Sequence, residues 1–516
     1  MIPLSGHMPI LPFIVPFSAA FVLMVFGQAD LAVRRTIALA ATVLMLLAGI
    51  GLLLLAGDGA IHVYRLGNWP APYGIVLVAD RLSAVMVTVT AVLALPVLLA
   101  AIASDMDGNG HFHALLQLQF AGLMGAFLTG DLFNLFVCFE ILLLASYAML
   151  VHGGGAERSR AGLAYVVLNL TGSSLFLIAL GLTYGTLGTL NMADMAEVLT
   201  RVSPADQALV RTALALLVAV FLLKAAVLPL SFWLPNVYPA ATAPVAALFA
   251  VMTKVGIYAL LRLSVGGLEA APFTAGLLSP WLPVLGVATI AIGAIGALAA
   301  RRFGVLVANL VLISTGTLVV AVAVGSREAI AAALFYLPHT TLATAGLFLL
   351  GAALAGERGT LGDTIEKGPL LADRVMPGAA YLVLGIAVCG APPLSGYLGK
   401  IMLLQSVSGE AIAPWYWASL LITGLVVALV LSRAASAFFW EPSRPLEAEE
   451  AAALPPRRAP AAMLAAIAIL ASAGPLMTAF AAPVSAYMRA ASVQLEQRQS
   501  YGNAVVGAPV QRERRP

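Results

Sequence analysis

The sequence predicts an all-α integral membrane protein with about fourteen transmembrane helices. Of the 516 residues, 61% are hydrophobic and only 10% are charged, whereas a soluble domain carries about 25% charged residues. Because no soluble fold could bury so much apolar surface, the composition excludes a soluble protein. In addition, three of the four lysines (Lys224, Lys254 and Lys400) fall inside apolar stretches, and only Lys367 lies in a polar loop.

Polar residues divide the apolar sequence into windows of about 20 residues, the length at which a helix crosses a bilayer. Fourteen such windows result, with soft boundaries. The predicted spans are 8–27, 32–56, 76–103, 112–129, 131–151, 161–187, 209–234, 241–264, 280–300, 303–325, 329–355, 375–407, 415–440 and 459–487.

The distribution of basic residues predicts that the N-terminus lies outside the cell, because cytoplasmic loops carry the excess of Lys and Arg. In this orientation the polar segment 490–516 also lies outside, and its Arg512, Arg514 and Arg515 count against the rule. We expect this segment to be loosely ordered. The predicted inner loops hold Arg34, Arg35, Arg158, Arg160, Arg301, Arg302, Arg358, Lys367, Arg374, Arg444, Arg457 and Arg458.

Five ionisable side chains lie deep within the predicted spans: Glu140, Lys224, Lys254, His339 and Lys400. A charge at the bilayer centre costs about 3 kcal/mol or more, so such residues mark ion or proton pathways. Desolvation lowers the pKa of a lysine and raises that of a carboxyl group, and a nearby opposite charge does the reverse. A buried glutamate–lysine pair can therefore release a proton when one partner moves. Histidine, with an ordinary pKa of about 6.5, suits a relay between such sites.

Each of these side chains also has a purely structural interpretation. Glu140 could be an ion-pair partner that fixes helix packing, and His339 could bond a neighbouring carbonyl group. Lys400 is the most ambiguous, because the span boundary after GAPPLSGYLG is soft. Lys224 and Lys254 lie too deep in their spans for their ammonium groups to reach the membrane surface easily.

Other polar and reactive residues carry weaker signals. Asp131 lies nine residues before Glu140 and on the opposite face of a helix, so we expect it to start that helix or to lie at the interface. Cys138 and Cys389 fall in apolar runs and are expected to be small buried hydrophobes. The sequence shows no nucleotide-binding loop and no cluster of metal ligands, so we expect no cofactor and no bound metal.

Two predicted spans contain helix breakers. In KAAVLPLSFWLPNVYPA, Pro229 and Pro235 have no N–H to donate to the preceding turn, and in CGAPPLSGYLGK the same holds for Pro392 and Pro393, which precede Lys400. Non-helical backbone at membrane depth is tolerated only where it is buried or lines a wet cavity. Interrupted helices at corresponding positions of two halves indicate a transport site.

The two breaks fall in the seventh and twelfth spans, five apart, which predicts a repeat of five helices. An odd number of helices inverts the second copy relative to the first. The predicted divisions are an N-terminal three-helix segment at 1–110, repeats at 111–265 and 266–440, and a last span with a polar tail at 441–516.

Longer segments resemble a known family. GDLFNLFVCFE, K-x5-PLSFWLP…APVAALFAVMTKVGIYAL and GAPPLSGY are similar to the antiporter-like proton-translocating subunits shared by respiratory complex I, membrane hydrogenases and Mrp-type cation/proton antiporters. Within this family, GNWPAPYGIVLVADRLSA, FLTGDLFNLFVCFE and HTTLATAGLFLL resemble the D-type subunits of the multisubunit Mrp (also Pha or Mnh) antiporters. The resemblance extends from about residue 70 to residue 440.

The resemblance implies fourteen core helices, two inverted five-helix repeats and broken seventh and twelfth helices. Some relatives have a lysine in the eleventh helix where this chain has Thr344, which leaves the link between His339 and Lys400 to water or hydroxyl groups. The family's proton-translocating residues correspond to Glu140 in the fifth helix, Lys224 in the seventh, Lys254 in the eighth, His339 in the eleventh and Lys400 in the twelfth.

The function implied by the resemblance is that of a proton-translocating subunit in a multisubunit Na+ (or K+)/H+ antiporter, driven by the proton motive force. Such a subunit is a secondary transporter and not an enzyme. It would lie in the bacterial plasma membrane with other Mrp subunits, and no nucleic acid partner is expected. Two alternatives stay open: a proton-pumping subunit of NADH-quinone oxidoreductase or a membrane-bound hydrogenase, and a non-transporting scaffold whose buried charges only fix helix packing. The sequence does not show which cation is exchanged or whether this subunit conducts it.

Overall fold

The computed structural model describes residues 4–108, 110–268, 270–368, 371, 373–440 and 458–507. Nineteen α-helices and one two-stranded β-hairpin account for most of them. The helices are α1 (Leu11–Val25), α2 (Leu31–Leu55), α3 (Arg81–Ala103), α4 (Phe112–Leu128), α5 (Leu132–Val151), α6 (Ala156–Leu187), α7 (Met192–Leu199), α8 (Gln207–Ala225), α9 (Leu234–Val237), α10 (Ala243–Leu263), α11 (Leu282–Ala299), α12 (Phe303–Val324), α13 (Arg327–Glu357), α14 (Val375–Cys389), α15 (Ser395–Ser406), α16 (Ala413–Ala435), α17 (Ala461–Ala479), α18 (Ala481–Glu496) and α19 (Arg498–Val506).

The fourteen predicted spans are confirmed as helices. Twelve helical segments are long and apolar enough to cross a membrane, and α4 and α14 are shorter apolar helices. Each of these fourteen elements falls on one predicted span. The protein is therefore an all-α membrane protein with the predicted order of spans.

Contacts between loops agree with a chain that crosses the membrane at every span. Arg302, just before α12, donates to Glu157 at the start of α6 (2.7 Å) and to Asp363 in the loop after α13 (2.9 Å). Any two of these three residues are separated by an even number of spans, as expected for residues on the same side of a membrane. On the opposite side, Arg327 at the start of α13 pairs with Glu496 at the end of α18 (2.5 Å).

The β-hairpin precedes α3 and corrects one predicted boundary. Strands β1 (His62–Arg65) and β2 (Val76–Ala79) pair in antiparallel register. Residues 76–79 were expected to begin the third span, but they are extended. Asp80 ends the strand and caps α3, since its carboxylate accepts from the backbone N–H of Ser83 at 2.9 Å while the Ser83 hydroxyl accepts from the Asp80 N–H at 2.9 Å.

Both broken helices are observed where proline predicted them. Helix α8 ends at Ala225, followed by Ala226 in the left-handed conformation (φ 58°) and a non-helical segment that leads into the short α9. Helix α14 ends at Cys389, and the chain re-enters a helix only at Ser395. In both places the missing proline N–H groups prevent one continuous helix.

The five-helix repeat is visible in helix packing. In the first set, α4 packs on α5, α6 on the broken α8, and α8 on α10. In the second set, α11 packs on α12, α13 on the broken pair α14 and α15, and these on α16. Helices α10 and α13 pack against each other at the centre, and both are buried along their apolar windows. The numerical boundaries 111–265 and 266–440 stay a prediction.

The C-terminal segment corrects another expectation. Residues 490–507, predicted to be loosely ordered, belong largely to α18 and α19. Gln494 accepts from the backbone N–H of Arg81 (2.9 Å) and donates to the carbonyl of Gly59 (2.9 Å). These long-range partners order a sequence whose own hydrophobicity is low. The remaining tail, 508–516, and the predicted inner-loop residues Arg444 and Arg457 lie outside the described residues.

Candidate functional site

The five predicted ionisable residues lie on membrane-spanning helices, and Lys224, Lys254 and His339 are buried in the bundle interior. Lys254 and His339 lie on α10 and α13, the two buried central helices. Lys224 lies in the last turn of α8, at the first break, and Lys400 lies on α15 just after the second. Glu140 on α5 and Lys400 on α15 are only partly buried. The arrangement follows the two repeats, with one lysine at each helix break and two side chains between them.

Glu140 and Lys224 are joined through α6 and not by a direct ion pair in the described part of the chain. The Ser173 hydroxyl of α6 donates to Oε1 of Glu140. One turn earlier on α6, Oδ1 and the carbonyl oxygen of Asn169 accept from Nζ of Lys224 at 3.2 and 3.4 Å. The Lys224 ammonium also lies 5.9 Å from the centroid of the Phe139 ring. In place of the expected direct pair, Glu140 and Lys224 each hydrogen-bond to α6, so the polar contacts involve three helices.

In the described part of the chain, the Lys254 ammonium donates hydrogen bonds to hydroxyl groups only. Its Nζ donates to Oγ of Ser314 on α12 at 2.8 Å and to Oγ1 of its neighbour Thr253 at 3.3 Å. The side chain is fully buried, and no carboxylate pairs with it among the residues that the structure describes. Such an ammonium is held by neutral dipoles alone, so its charged form gains little compensation for desolvation.

His339 and Lys400 each contact a residue that flanks the second break. Nδ1 of His339 is 2.8 Å from the hydroxyl of Ser395, the first residue of α15. Lys400 donates to the carbonyl of Cys389 at 2.7 Å, which the end of α14 leaves without a helical partner. Gly390 follows with φ 75°, and a Cβ there would lie 2.5 Å from Cδ of Lys400. The lysine stem therefore lies directly against the glycine of the break.

A cavity of about 740 Å³ opens at the loop between α9 and α10, on the side of the protein that carries Arg302. Tyr238 and Thr242 line it between α9 and α10, and Glu157 and Arg158 line its mouth. The hydroxyls of Tyr238 and Thr242 are buried and have no partner in the described residues. The charged side chains of Glu157 and Arg158 can bind water in a cavity of this size, which makes the cavity a candidate access path toward α10.

Two further expectations concern residues outside this set. Asp131 starts α5, as predicted: it is the N-cap residue, and its carboxylate accepts from the backbone N–H of Asn134 at 2.9 Å. Cys138 is buried, Cys389 is partly buried, and both are free thiols. Among the described residues, no group of three His, Cys, Asp or Glu side chains lies close enough to hold a metal ion.

Sequence reasoning missed the neutral partners of the ionisable residues: Asn169, Ser173, Ser314 and Ser395. The available signal was weak. Asn169 and Ser173 share one face of a helix four residues apart in the apolar segment LNLTGSSLF. Single hydroxyl groups in apolar helices commonly bond their own backbone, so only their spatial neighbours distinguish these residues.

One known family matches the part of the chain that carries these residues. Residues 129–430 match the family described as NADH:quinone oxidoreductase/Mrp antiporter, transmembrane, and this stretch is more than half of the chain. The protein belongs to this family. All five ionisable residues fall within the matched segment of the family member.

Curated relatives of this family member include two antiporter subunits of the D type. A probable K+/H+ antiporter D-type subunit of Rhizobium meliloti (strain 1021) is 43% identical in an alignment of 475 residues that covers 84% of this chain and 87% of the relative. A Na+/H+ antiporter D-type subunit of Bacillus subtilis (strain 168) is 36% identical over 412 residues, 78% of this chain and 80% of the relative.

Solved structures show the same fold. A chain of the Mrp complex from Dietzia sp. DQ12-45-1b is similar with a TM-score of 0.85 at 24% identity, covering 98% of this chain and 100% of that one. A chain of the archaeal membrane-bound sulfane sulfur reductase gives a TM-score of 0.87 at 23% identity, covering 97% and 100%. At these identities the likeness establishes the fold alone.

Proposed function

We propose that this chain is the proton-translocating subunit of a multisubunit Na+ (or K+)/H+ antiporter driven by the proton motive force. The observation that supports it most is the placement of Lys224 and Lys400 at the two helix breaks, with Lys254 and His339 on the buried central helices between them. A set of ionisable groups along the membrane interior suits proton transfer. The curated relatives are named as subunits of antiporters that exchange protons for K+ or Na+, which supports the proposal.

Each ionisable residue has a role in this proposal. Glu140 modulates the proton affinity of Lys224 through its negative charge. Protons pass laterally by way of Lys254 and His339 to Lys400. The broken helices open half-channels at the two ends of this path.

The hydroxyl contacts support a relay but do not complete it. Ser314 lies within hydrogen-bond distance of Lys254, and Ser395 within hydrogen-bond distance of His339. The Lys254 ammonium and the His339 ring do not bond each other in the described residues. Transfer between them requires bridging water or side-chain movement, as in other intramembrane proton chains.

The chain acts in this proposal as one member of a hetero-oligomer in the bacterial plasma membrane. The structural neighbours are chains of multisubunit complexes. The partial exposure of Glu140 supports assembly with other subunits, because a carboxylate at membrane depth is costly in contact with lipid and a neighbouring subunit would shield it.

The experiment that tests the function is antiport in everted membrane vesicles containing the whole complex. Lys224→Ala and Glu140→Ala abolish cation-dependent ΔpH while the complex still assembles. Lys367→Ala, which changes the one loop lysine, keeps the wild-type rate. Wild-type antiport in both Lys224→Ala and Glu140→Ala would refute the proposal.

The main alternative is a redox-driven proton pump, because the fold is shared with a chain of respiratory complex I from Thermus thermophilus (TM-score 0.77 at 24% identity). The higher identity to antiporter subunits favours antiport. Comparing Na+, Li+ and K+ in the vesicle assay separates the two, since a redox pump generates ΔpH with electron donors and without a cation requirement. A mere scaffold would tolerate hydrophobic replacement of the buried charges.

A further inference from the structure

We propose that Asn169 and Ser173 of α6 are positioning residues that hold Lys224 and Glu140 in separate hydrogen bonds and so set how strongly the two charges interact. This inference rests on the proposed function. It adds two residues that carry no charge and that lie on a helix without any of the five ionisable groups.

The first step is the division of partners along one face of α6. Ser173 donates to the Glu140 carboxylate, and Asn169 accepts from the Lys224 ammonium. Residues four apart on a helix lie one above the other, so the carboxylate and the ammonium contact adjacent turns of the same helix. Asn169 and Ser173 are 2% and 5% exposed, which protects both contacts from competition by bulk water.

The second step is that Asn169 is itself fixed in orientation. Its Nδ2 donates to the carbonyl of Tyr165 at 3.0 Å, which leaves Oδ1 directed at Lys224. An amide held in this way can only accept from the lysine. It therefore holds the Lys224 ammonium beside α6 until the Lys224 side chain moves.

The third step is the space left for the lysine. Gly172 lies between the two polar residues, and a Cβ there would be 2.6 Å from Leu223 Cδ2 and 3.6 Å from Nζ of Lys224. The absence of a side chain allows the end of α8 to approach α6. The packing thus brings the ammonium within reach of Asn169.

Together these contacts assign a specific task to α6. In this structure the Ser173 hydroxyl donates to the Glu140 carboxylate, and Asn169 accepts from the Lys224 ammonium. Transfer of the lysine from Asn169 toward Glu140 changes the Coulomb interaction between the two charges, which is the event that antiport requires. Neither residue needs to carry the proton.

The test uses the whole complex in everted vesicles, with the antiport rate normalised to assembled complex. Ser173→Ala and Asn169→Leu each lower the rate by about tenfold, the effect expected from losing one hydrogen bond to a charged group. Ser173→Thr retains the hydroxyl and restores the rate to within about threefold of wild type, as expected where only packing changes. A role limited to packing would not be rescued in this way.

Matched controls lie on the same helix. Ser174 and Thr171 are exposed on α6 and donate only to their own backbone, so Ser174→Ala and Thr171→Val keep the wild-type rate. A Glu140→Asp background gives a second measurement, because the shorter side chain withdraws the carboxylate from Ser173. Adding Ser173→Ala to the Glu140→Asp variant causes no further loss of antiport rate.

The outcomes separate this inference from the proposed function. If Ser173→Ala and Asn169→Leu transport at the wild-type rate while Glu140→Ala and Lys224→Ala are inactive, the inference is wrong and the function stands. An equal tenfold loss from Ser173→Ala in the Glu140→Asp background also overturns it, since Ser173 would then act independently of Glu140. Wild-type rates in all four variants overturn the function itself.

Discussion

Arg262 and Asp80 form a buried ion pair that joins the last turn of α10 to the N-cap of α3. Nη1 and Nη2 of the arginine lie 2.5 and 2.7 Å from the two carboxylate oxygens. The Nε group donates to the Tyr258 hydroxyl at 3.0 Å, and the Tyr501 ring centroid is 5.7 Å from the guanidinium carbon. The pair fixes the C-terminal end of the helix that carries Lys254.

Removing one partner of this pair is expected to destabilise the protein strongly. Arg262→Leu leaves the Asp80 carboxylate buried without its counter-ion, which costs about 3–5 kcal/mol. Thermal unfolding of the detergent-solubilised protein, followed by tryptophan fluorescence, measures the change. Glu197→Gln removes the exposed ion pair with Arg201 and serves as the control. Its midpoint of thermal unfolding is expected to be unchanged. Similar midpoints for the two variants would show that Arg262 is not a structural anchor.

Lys400 is expected to be required for transport, unlike Lys367. Lys400→Ala removes the ammonium at the second break and lowers the antiport rate by about tenfold or more, as expected for a positioned proton donor. Lys367→Ala alters a lysine in the loop between α13 and α14 and keeps the rate. The measurement is cation-dependent ΔpH in everted vesicles. Equal rates for the two variants would remove Lys400 from the proposed path.

Gly396 is expected to be intolerant of even one added methyl group. A Cβ at this position of α15 would overlap the Ala387 carbonyl oxygen and lie 2.8 Å from Nε2 of His339. Gly396→Ala therefore separates α15 from α14 and destabilises the protein by about 1–3 kcal/mol. Gly385→Ala is the control, because its Cβ would make one ordinary contact with Leu431 at 3.9 Å. The melting temperatures of the two purified variants test this prediction. Equal values would contradict the predicted overlap between a Cβ at Gly396 and the Ala387 carbonyl oxygen.

Asp107 gives stability an expected dependence on pH. Burial raises the pKa of this loop carboxyl, but the charge and two hydrogen bonds of Arg35 (2.6 and 2.7 Å), together with the contact to His113 (3.0 Å), outweigh burial and hold the pKa below its usual value. A carboxyl with a lowered folded-state pKa stabilises above its unfolded pKa, and the contribution disappears as the pH falls through the folded value. Asp107→Asn therefore unfolds at a lower temperature than wild type at pH 7.

The difference in melting temperature between wild type and Asp107→Asn shrinks below about pH 4, where the ordinary carboxyl pKa lies. Melting curves recorded from about pH 3 to about pH 8 check this sign. Asp105 provides the control, since its carboxylate is exposed and 3.7 Å from Arg35; Asp105→Asn changes the midpoint little at any pH. A difference that grows toward low pH would contradict the assignment.

The sequence alone determined the spans and the two helix breaks, because both depend on local properties. The length of an apolar window and the missing N–H of Pro229 or Pro393 act within a few residues of where they occur. The same holds for the depth of the five ionisable residues, since depth follows from position within a span. Asp131 as a helix start belongs to this class, because capping involves only the next turn.

Only the tertiary structure decided which groups these residues contact. Ser173 bonds a glutamate 33 residues away and Asn169 a lysine 55 residues away, and helix rotation and packing set both distances. The ordered C-terminal helices and the Asp80–Arg262 pair have the same origin, since their partners are far apart in the chain. Hydrophobic periodicity carries no information about such pairs because any polar residue on a buried face fits the same pattern.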